Sequence, residues 1–399
     1  MRVLTLSTYP IAAPRHGGQQ RLHHIVRAFK AAGHQTQSIG IFGSQSYPAE
    51  EGFLSLPPVD QLTRYIKNPV LMEDWAIGQM AVDDAKVFSE LCDHIDVVPD
   101  VIHVEQPWLF AFAQRYARQC GRDKVKLIYG SANIEHELKR SIVEQIIGTK
   151  AAKSCAELVL KCECSAARGA DLVAATSSRD AQWLRPYSNG DVLVAANGVA
   201  ERPSTIAGIE AANAITSHRK FALYCASSHP PNIAGFFDLF GRGIGFLSPI
   251  ERIVVAGGAG LSIRSDSRFK TTPGLAAHFI DAGEVSEECL QGLLETSHVM
   301  VLPLTQGGGT NLKTAEALWA GHWVVATQTA MRGFEDYSAE RGLDVCSDAS
   351  SFREAIRVAM QSAPLRLSSA EKMARRPLLW EYTLKPMVSR AGAIAKGIL

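Results

Sequence analysis

Short runs of Val and Ile alternate along the whole chain with longer stretches of helical periodicity, and this alternation constrains the fold more than any other feature. Strands that read as near-continuous apolar runs are covered on both faces, and parallel strands need a crossover helix to bring the chain back. In the first half the expected strands are residues 3–6, 37–41, 101–104, 125–129, 172–175 and 192–195. Between the first two, Leu22, Ile25, Val26 and Phe29 stand at i, i+3, i+4 and i+7, one face of a helix that Gly33 stops. Residues 69–95 and 135–169 read as mainly helical. A second set of strands follows at 221–225, 252–256, 299–302, 323–326 and 343–346. Asn197 to about His218, with turn residues, Pro203 and small side chains, reads as the linker. From Trp380 onward the pattern is an amphipathic helix with no strand after it. The expected fold class is α/β: two doubly wound halves with a cleft between them, binding ligands beyond the carboxyl ends of the strands.

Composition narrows the function. At 399 residues and roughly 150 per domain, two or three domains are expected. An apolar fraction of 46% excludes disorder for most of the chain. Lys and Arg number 41 against 40 acids, so the basic footprint of a nucleic-acid binder is missing. No apolar run approaches the roughly 18 residues of a membrane span. The N-terminus meets Pro10 too soon for a signal-peptide core and reads as a first strand. Eight cysteines are scattered, and no Cys-x-x-Cys pair or Cys/His cluster has zinc spacing. A cytoplasmic enzyme with reduced cysteines and no metal is the expectation.

The strongest local signal runs from Val299 to Gly321. A buried strand enters Gly307, Gly308 and Gly309, and Thr310 stands where a helix N-cap belongs. Glycines let backbone amides approach a ligand, and the helix start suits a phosphate. Lys313 adds positive charge in the first turn. Leu312, Glu316 and Trp319 fall at i, i+4 and i+7, which puts Glu316 on an apolar stripe where it needs hydrogen-bond donors. The blander readings are a plain strand-to-helix connection and an exposed glutamate. Leu312 rather than Gly precedes Lys313-Thr314, so this is not a P-loop.

A second turn, residues 7–18, ends in Gly17-Gly18 and could bring backbone close to an anion. Residues 256–260, Ala-Gly-Gly-Ala-Gly, lack the third glycine of a dinucleotide fingerprint and read as a tight turn. Asn197-Gly198 reads as a turn with positive φ. His103, His136 and His229 share no metal spacing and read as structural, and no Gly-x-Ser-x-Gly elbow is present.

With these residues in place, the chain resembles a GT-B glycosyltransferase, similar to the glycosyltransferase family 4 group. The likeness spans nearly the whole length: the Gly17-Gly18 loop, Gly33-His34, Asn133-Ile-Glu135, residues 170–173, Asn197-Gly-Val199, and the run from Gly307 to Arg332-Gly333. It implies two Rossmann-like doubly wound domains facing across a cleft. Residues 1–200 would bind the acceptor, residues 201–378 a nucleotide-sugar, and residues 379–399 would form a helix crossing back to the first domain. It also implies retaining transfer without a metal or a bound cofactor, in glycan or polysaccharide synthesis, from a UDP- or GDP-linked donor. The acceptor would be a glycan, a glycolipid or another hydroxyl compound, with peripheral contact at the inner face of a membrane in the glycolipid case.

Carried over by residue, Glu316 matches the glutamate that hydrogen-bonds the ribose. Gly308, Gly309, Thr310 and Asn311 would hold the sugar and diphosphate, and Gly17 and Gly18 would approach the same diphosphate. Lys313 and Glu316 are the expected catalytic pair, while Arg15, His16, Asn133 and Glu135 are expected at the acceptor. The chain departs from the pattern in three places. Gly308 stands where a second glutamate is usual, Ser227–Asn232 replaces a basic pair, and Ala132 replaces a histidine. Lys313 would take over the charge compensation. A GT-B epimerase or phosphorylase and a non-catalytic nucleotide- or sugar-binding protein remain as alternatives, with a dehydrogenase a distant third.

Overall fold

A computed structural model of the chain describes residues 1–43, 47–55, 59–121, 124–306 and 309–398. The chain divides into two compact units, Met1–Ala196 with Trp380–Leu399, and Asn197–Leu379.

The first unit is built on a seven-stranded sheet of β1 (Arg2–Ser7), β2 (Gln35–Phe42), β3 (Phe53–Ser55), β4 (Val101–Glu105), β5 (Lys126–Ser131), β6 (Leu172–Ala175) and β7 (Asp191–Val194). Its order is β3-β2-β1-β4-β5-β6-β7 and every pairing is parallel. All five residues of β4 are buried, as expected for a central strand covered by helices on both faces. The helix Gly17–Ala31 buries Leu22, Ile25, Val26 and Phe29, and Gly33 follows it at φ +79, where a side chain would be strained. Residues 69–95 contain the helices Glu73–Asp83 and Ala85–Asp93, separated by Asp84, whose carboxylate caps the second at the backbone N–H of Lys86 and Val87. Gly148, at φ +90, splits the next stretch into Glu135–Ile147 and Thr149–Gly169. The segment from Trp380 forms Trp380–Thr383 and Lys385–Ala395. Trp380 stacks on His24 at 4.8 Å, and Arg390 pairs with Asp191.

The second unit holds a six-stranded parallel sheet of β8 (Phe221–Cys225), β9 (Arg252–Ala256), β10 (Phe279–Gly283), β11 (Val299–Leu302), β12 (Trp323–Thr327) and β13 (Leu343–Cys346), in the order β10-β9-β8-β11-β12-β13. Two expectations fail here. The presumed linker contains the helix Ile206–Thr216, capped by Thr205. It packs against Glu287–Thr296, and Gly292 is needed where its missing Cβ lets the carbonyl of Gly208 come close. Gly198 is not at positive φ: the chain runs on extended, and Val199 bridges Leu379 with its N–H on the Leu378 carbonyl at 2.9 Å. The tight turn expected at 256–260 is formed by Gly257, at φ +98, and Gly258, and the helix Ala259–Ser265 starts directly after it. No described helix is long and apolar enough to cross a membrane.

Candidate active site

In each sheet the strand order reverses at one point, between β8 and β11 in the second unit and between β1 and β4 in the first. Loops leaving neighbouring strands there diverge to opposite faces and leave a crevice at the carboxyl edge.

In the second unit the helix Leu312–Ala320 follows β11. Its cap is Asn311, not Thr310: the Asn311 side chain accepts from the Lys313 backbone N–H at 3.0 Å, so the helix starts one residue later than the pattern suggested. Thr310 is buried, and its hydroxyl has no partner among the described residues, while its carbonyl accepts from the Asn197 side-chain amide at 3.1 Å. Gly309 sits at φ +57; Gly307 and Gly308 lie outside the described residues.

The buried face of this helix is Thr314, Ala315, Ala317 and Leu318. Leu312, Glu316 and Trp319 are half-buried at its margin, so Glu316 does not lie on a core stripe. Glu316 has no hydrogen-bond partner among the described residues. Burial pushes its carboxyl up to about 7, with Lys313 opposing and Glu287 adding. Lys313 donates to Asn232 Oδ1 at 3.0 Å and lies over the Tyr224 ring at 6.0 Å. Asn232 is fixed in turn by its amide, which donates to the Ser227 carbonyl at 3.0 Å. Burial lowers the lysine to about 8, against the pull of Cys225 and Glu316. The segment 227–232, which lacks a basic pair and runs into the helix Pro230–Phe240, therefore supplies the side chain that orients the lysine. Sequence reasoning missed Asn232 because its partner lies 81 positions away.

In the first unit Gly17 and Gly18 are the opening residues of their helix rather than part of the preceding loop, and His16 is the cap, accepting from the Gln19 N–H at 3.4 Å. Gly18 has a packing reason: a Cβ there would meet the Tyr9 hydroxyl at 2.8 Å. His16 meets Tyr9 edge-on at 5.1 Å and contacts the Tyr47 hydroxyl at 3.2 Å. Arg15 is exposed, with its backbone N–H on Gln19.

Asn133 and Glu135 are brought together, the amide donating to Glu135 Oε1 at 3.2 Å. Gln106 donates to the same oxygen at 3.0 Å. Glu135 is buried, and burial pushes it up to about 7, opposed by Lys139 and the two amides. Its position is set by Glu163, whose carboxylate accepts from the N–H of Glu135 at 2.6 Å, the N–H of His136 at 3.0 Å and His136 Nδ1 at 2.8 Å. Glu163 thus caps from another helix an N-terminus with no side-chain cap of its own. Sequence reasoning missed it, although Ala156, Val159, Glu163 and Ala166 form a buried helical stripe on which a lone carboxylate stands out. His103 is structural: it pairs with Glu105 at 2.9 Å, which also holds Arg21 at 2.9 Å, while Arg21 reaches the Ala195 carbonyl. Among the described residues no three His, Cys, Asp or Glu gather as a metal site.

Residues 247–362 match the glycosyl transferases group 1 family. No curated protein matches the chain by sequence. Among solved structures, sucrose-phosphate synthase from Thermosynechococcus elongatus superposes with TM-score 0.68 at 14% identity, covering 100% of this chain and 98% of that one. The catalytic domain of starch synthase IV from Arabidopsis thaliana, bound to ADP and acarbose, gives 0.62 at 12% identity over 100% and 99%. Anabaena HepE in complex with UDP-glucose gives 0.57 at 14% over 100% and 98%. The chain has the GT-B fold of these glycosyltransferases, and the stretch that matches the glycosyl transferases group 1 family lies within its second unit.

Proposed function

We propose that the chain transfers a sugar from a nucleotide-sugar to an acceptor hydroxyl, with retention and without a metal, the second unit holding the donor and the first the acceptor. The observation that carries this reading is the placing of Lys313 and Glu316 together in the first turns of the helix Leu312–Ala320, with Asn232 aiming the lysine. The half-buried carboxylate of Glu316, with no hydrogen-bond partner among the described residues, suits two ribose hydroxyls, and their hydrogen bonds favour its charged form. The positive end of the helix Leu312–Ala320, together with Thr310 and Asn311, faces the diphosphate position. Lys313 adds a full charge where the leaving oxygen becomes negative. The acceptor hydroxyl attacks from the leaving-group face and passes its proton to the departing phosphate. UDP-glucose and ADP, named with HepE and starch synthase IV, support a nucleoside-diphosphate donor. A glycan or glycolipid hydroxyl is the acceptor, met in the cytoplasm and, for a glycolipid, at the membrane face.

A thermal-shift panel of UDP, GDP, ADP, CMP and dTDP tests the donor site. At about 100 times its dissociation constant a nucleotide adds roughly 2.7 kcal/mol, a visible shift. One nucleotide should stabilise the wild type, much less Glu316→Ala and Lys313→Ala. No shift from any of them would overturn the donor site.

A further inference from the structure

Tyr9, Gln106 and Glu135 come just after β1, β4 and β5, three neighbouring strands of the first sheet, so they share one carboxyl edge. Folding alone leaves three features of this edge unexplained. The Tyr9 hydroxyl is buried, the residue being 7% exposed, and has no partner among the described residues. Phenylalanine would fill the same space without that cost. Gln106 is held at φ +64, a conformation a residue with a Cβ adopts only when its surroundings impose it. That strained residue and Asn133 both direct their amides to Glu135 Oε1, leaving Oε2 with no donor among the described residues.

The charges around the edge decide what can fill it. Burial first, and then Glu105, Glu135 and Asp74, hold the proton on Tyr9 against the pull of Arg21. Lys139 is committed to Asp74 at 3.4 Å, and Arg21 to Glu105. An anion brought here would meet carboxylates rather than free cations. An uncharged hydroxyl meets what it needs: an acceptor oxygen on Glu135 and a donor on Tyr9. Glu163 is the positioning residue, since it fixes the backbone that carries Glu135.

We infer that the carboxyl edge of β1, β4 and β5 binds uncharged sugar hydroxyls through Glu135 and Tyr9, so that the acceptor is a neutral glycoside and not a sugar phosphate. This rests on the first unit holding the acceptor, as proposed above.

The experiment is saturation-transfer NMR with the methyl glycosides of glucose, galactose, mannose and N-acetylglucosamine, set against the corresponding 6-phosphates. Wild type, Tyr9→Phe and Glu135→Gln are compared, each also carried through the UDP and GDP thermal shift. At least one neutral glycoside should bind the wild type saturably, and more tightly than its phosphate. Each substitution should weaken it by about tenfold, the order of one lost hydrogen bond, while the nucleotide shift stays unchanged. Preference for a phosphate, no saturable neutral ligand, or binding indifferent to both substitutions would each overturn the inference. A missing nucleotide shift in the wild type would overturn the donor reading alone. Tyr9→Phe removes only an unpaired hydroxyl and keeps the fold, so it decides the matter even if Glu135→Gln does not fold.

Discussion

Glu316 and Glu135 both hold their protons up to about 7, well above the 4.5 of an ordinary glutamate, and burial is the main cause in each. Between those two pH values the folded chain binds more protons than the unfolded chain. Stability therefore falls as pH rises from about 4.5 to about 7. Glu316→Gln removes this dependence at one site. It should match the wild type near pH 5 and exceed it at pH 8 by on the order of 1–3 kcal/mol, measured by urea unfolding at both pH values. Wild-type and variant curves that stay parallel across that range would refute the burial account. Spacing exposed Glu316 and Lys313, because both lie within a few positions of a glycine turn, while the Asn133–Glu135 pair was legible only through the family resemblance. Spacing could not expose Asn232, Tyr9 or Glu163. Their meaning comes from partners 81 positions away for Asn232, and 28 for Glu163, and for Tyr9 from a hydroxyl with no partner among the described residues.

At the scale of elements, the helix Glu135–Ile147 depends on a carboxylate that it does not own. Glu163 lies on Thr149–Gly169 and is fully buried, so its two backbone hydrogen bonds are charge-assisted and shielded from water. Glu163→Ala should destabilise the first unit by about 3 kcal/mol and speed hydrogen exchange at the amides of Glu135 and His136. Unchanged protection of those two amides would show that the cap is dispensable. Central strands were legible because runs such as residues 101–104 are buried on both faces. Two of the four edge strands, β7 and β13, were legible as well, but β3 has three residues and every residue of β10 is only half-buried, so neither of these shows an apolar run. The helix Ile206–Thr216 was hidden because its Gly208, a residue that weakens helices by propensity, is there for close contact with a neighbouring helix.

On the scale of the whole molecule, the chain leaves the first unit after Ala196 and re-enters it at Trp380. The returning segment buries Trp380, Leu384, Met387 and Ala391 and pairs Arg390 with the start of β7. Deleting residues 380–399 should cost the first unit at least about 3–5 kcal/mol, the loss expected from one buried tryptophan alone. The second unit should keep its own unfolding transition and its nucleotide shift, which calorimetry with and without nucleotide would resolve. Loss of both transitions together would mean that the returning segment supports the second unit as well.

The sequence by itself determined the alternation of strand and helix, the two sheets and the glycine-marked turns at their carboxyl edges. These depend on periodicity and local backbone freedom, which a few neighbouring residues carry. Only the tertiary structure decided which side chains are left with unmet hydrogen bonds at those edges. Burial, the unpaired Tyr9 hydroxyl, the strained Gln106 and the charges around Glu135 and Glu316 arise when residues distant in the chain are packed together, and water is no longer there to satisfy them.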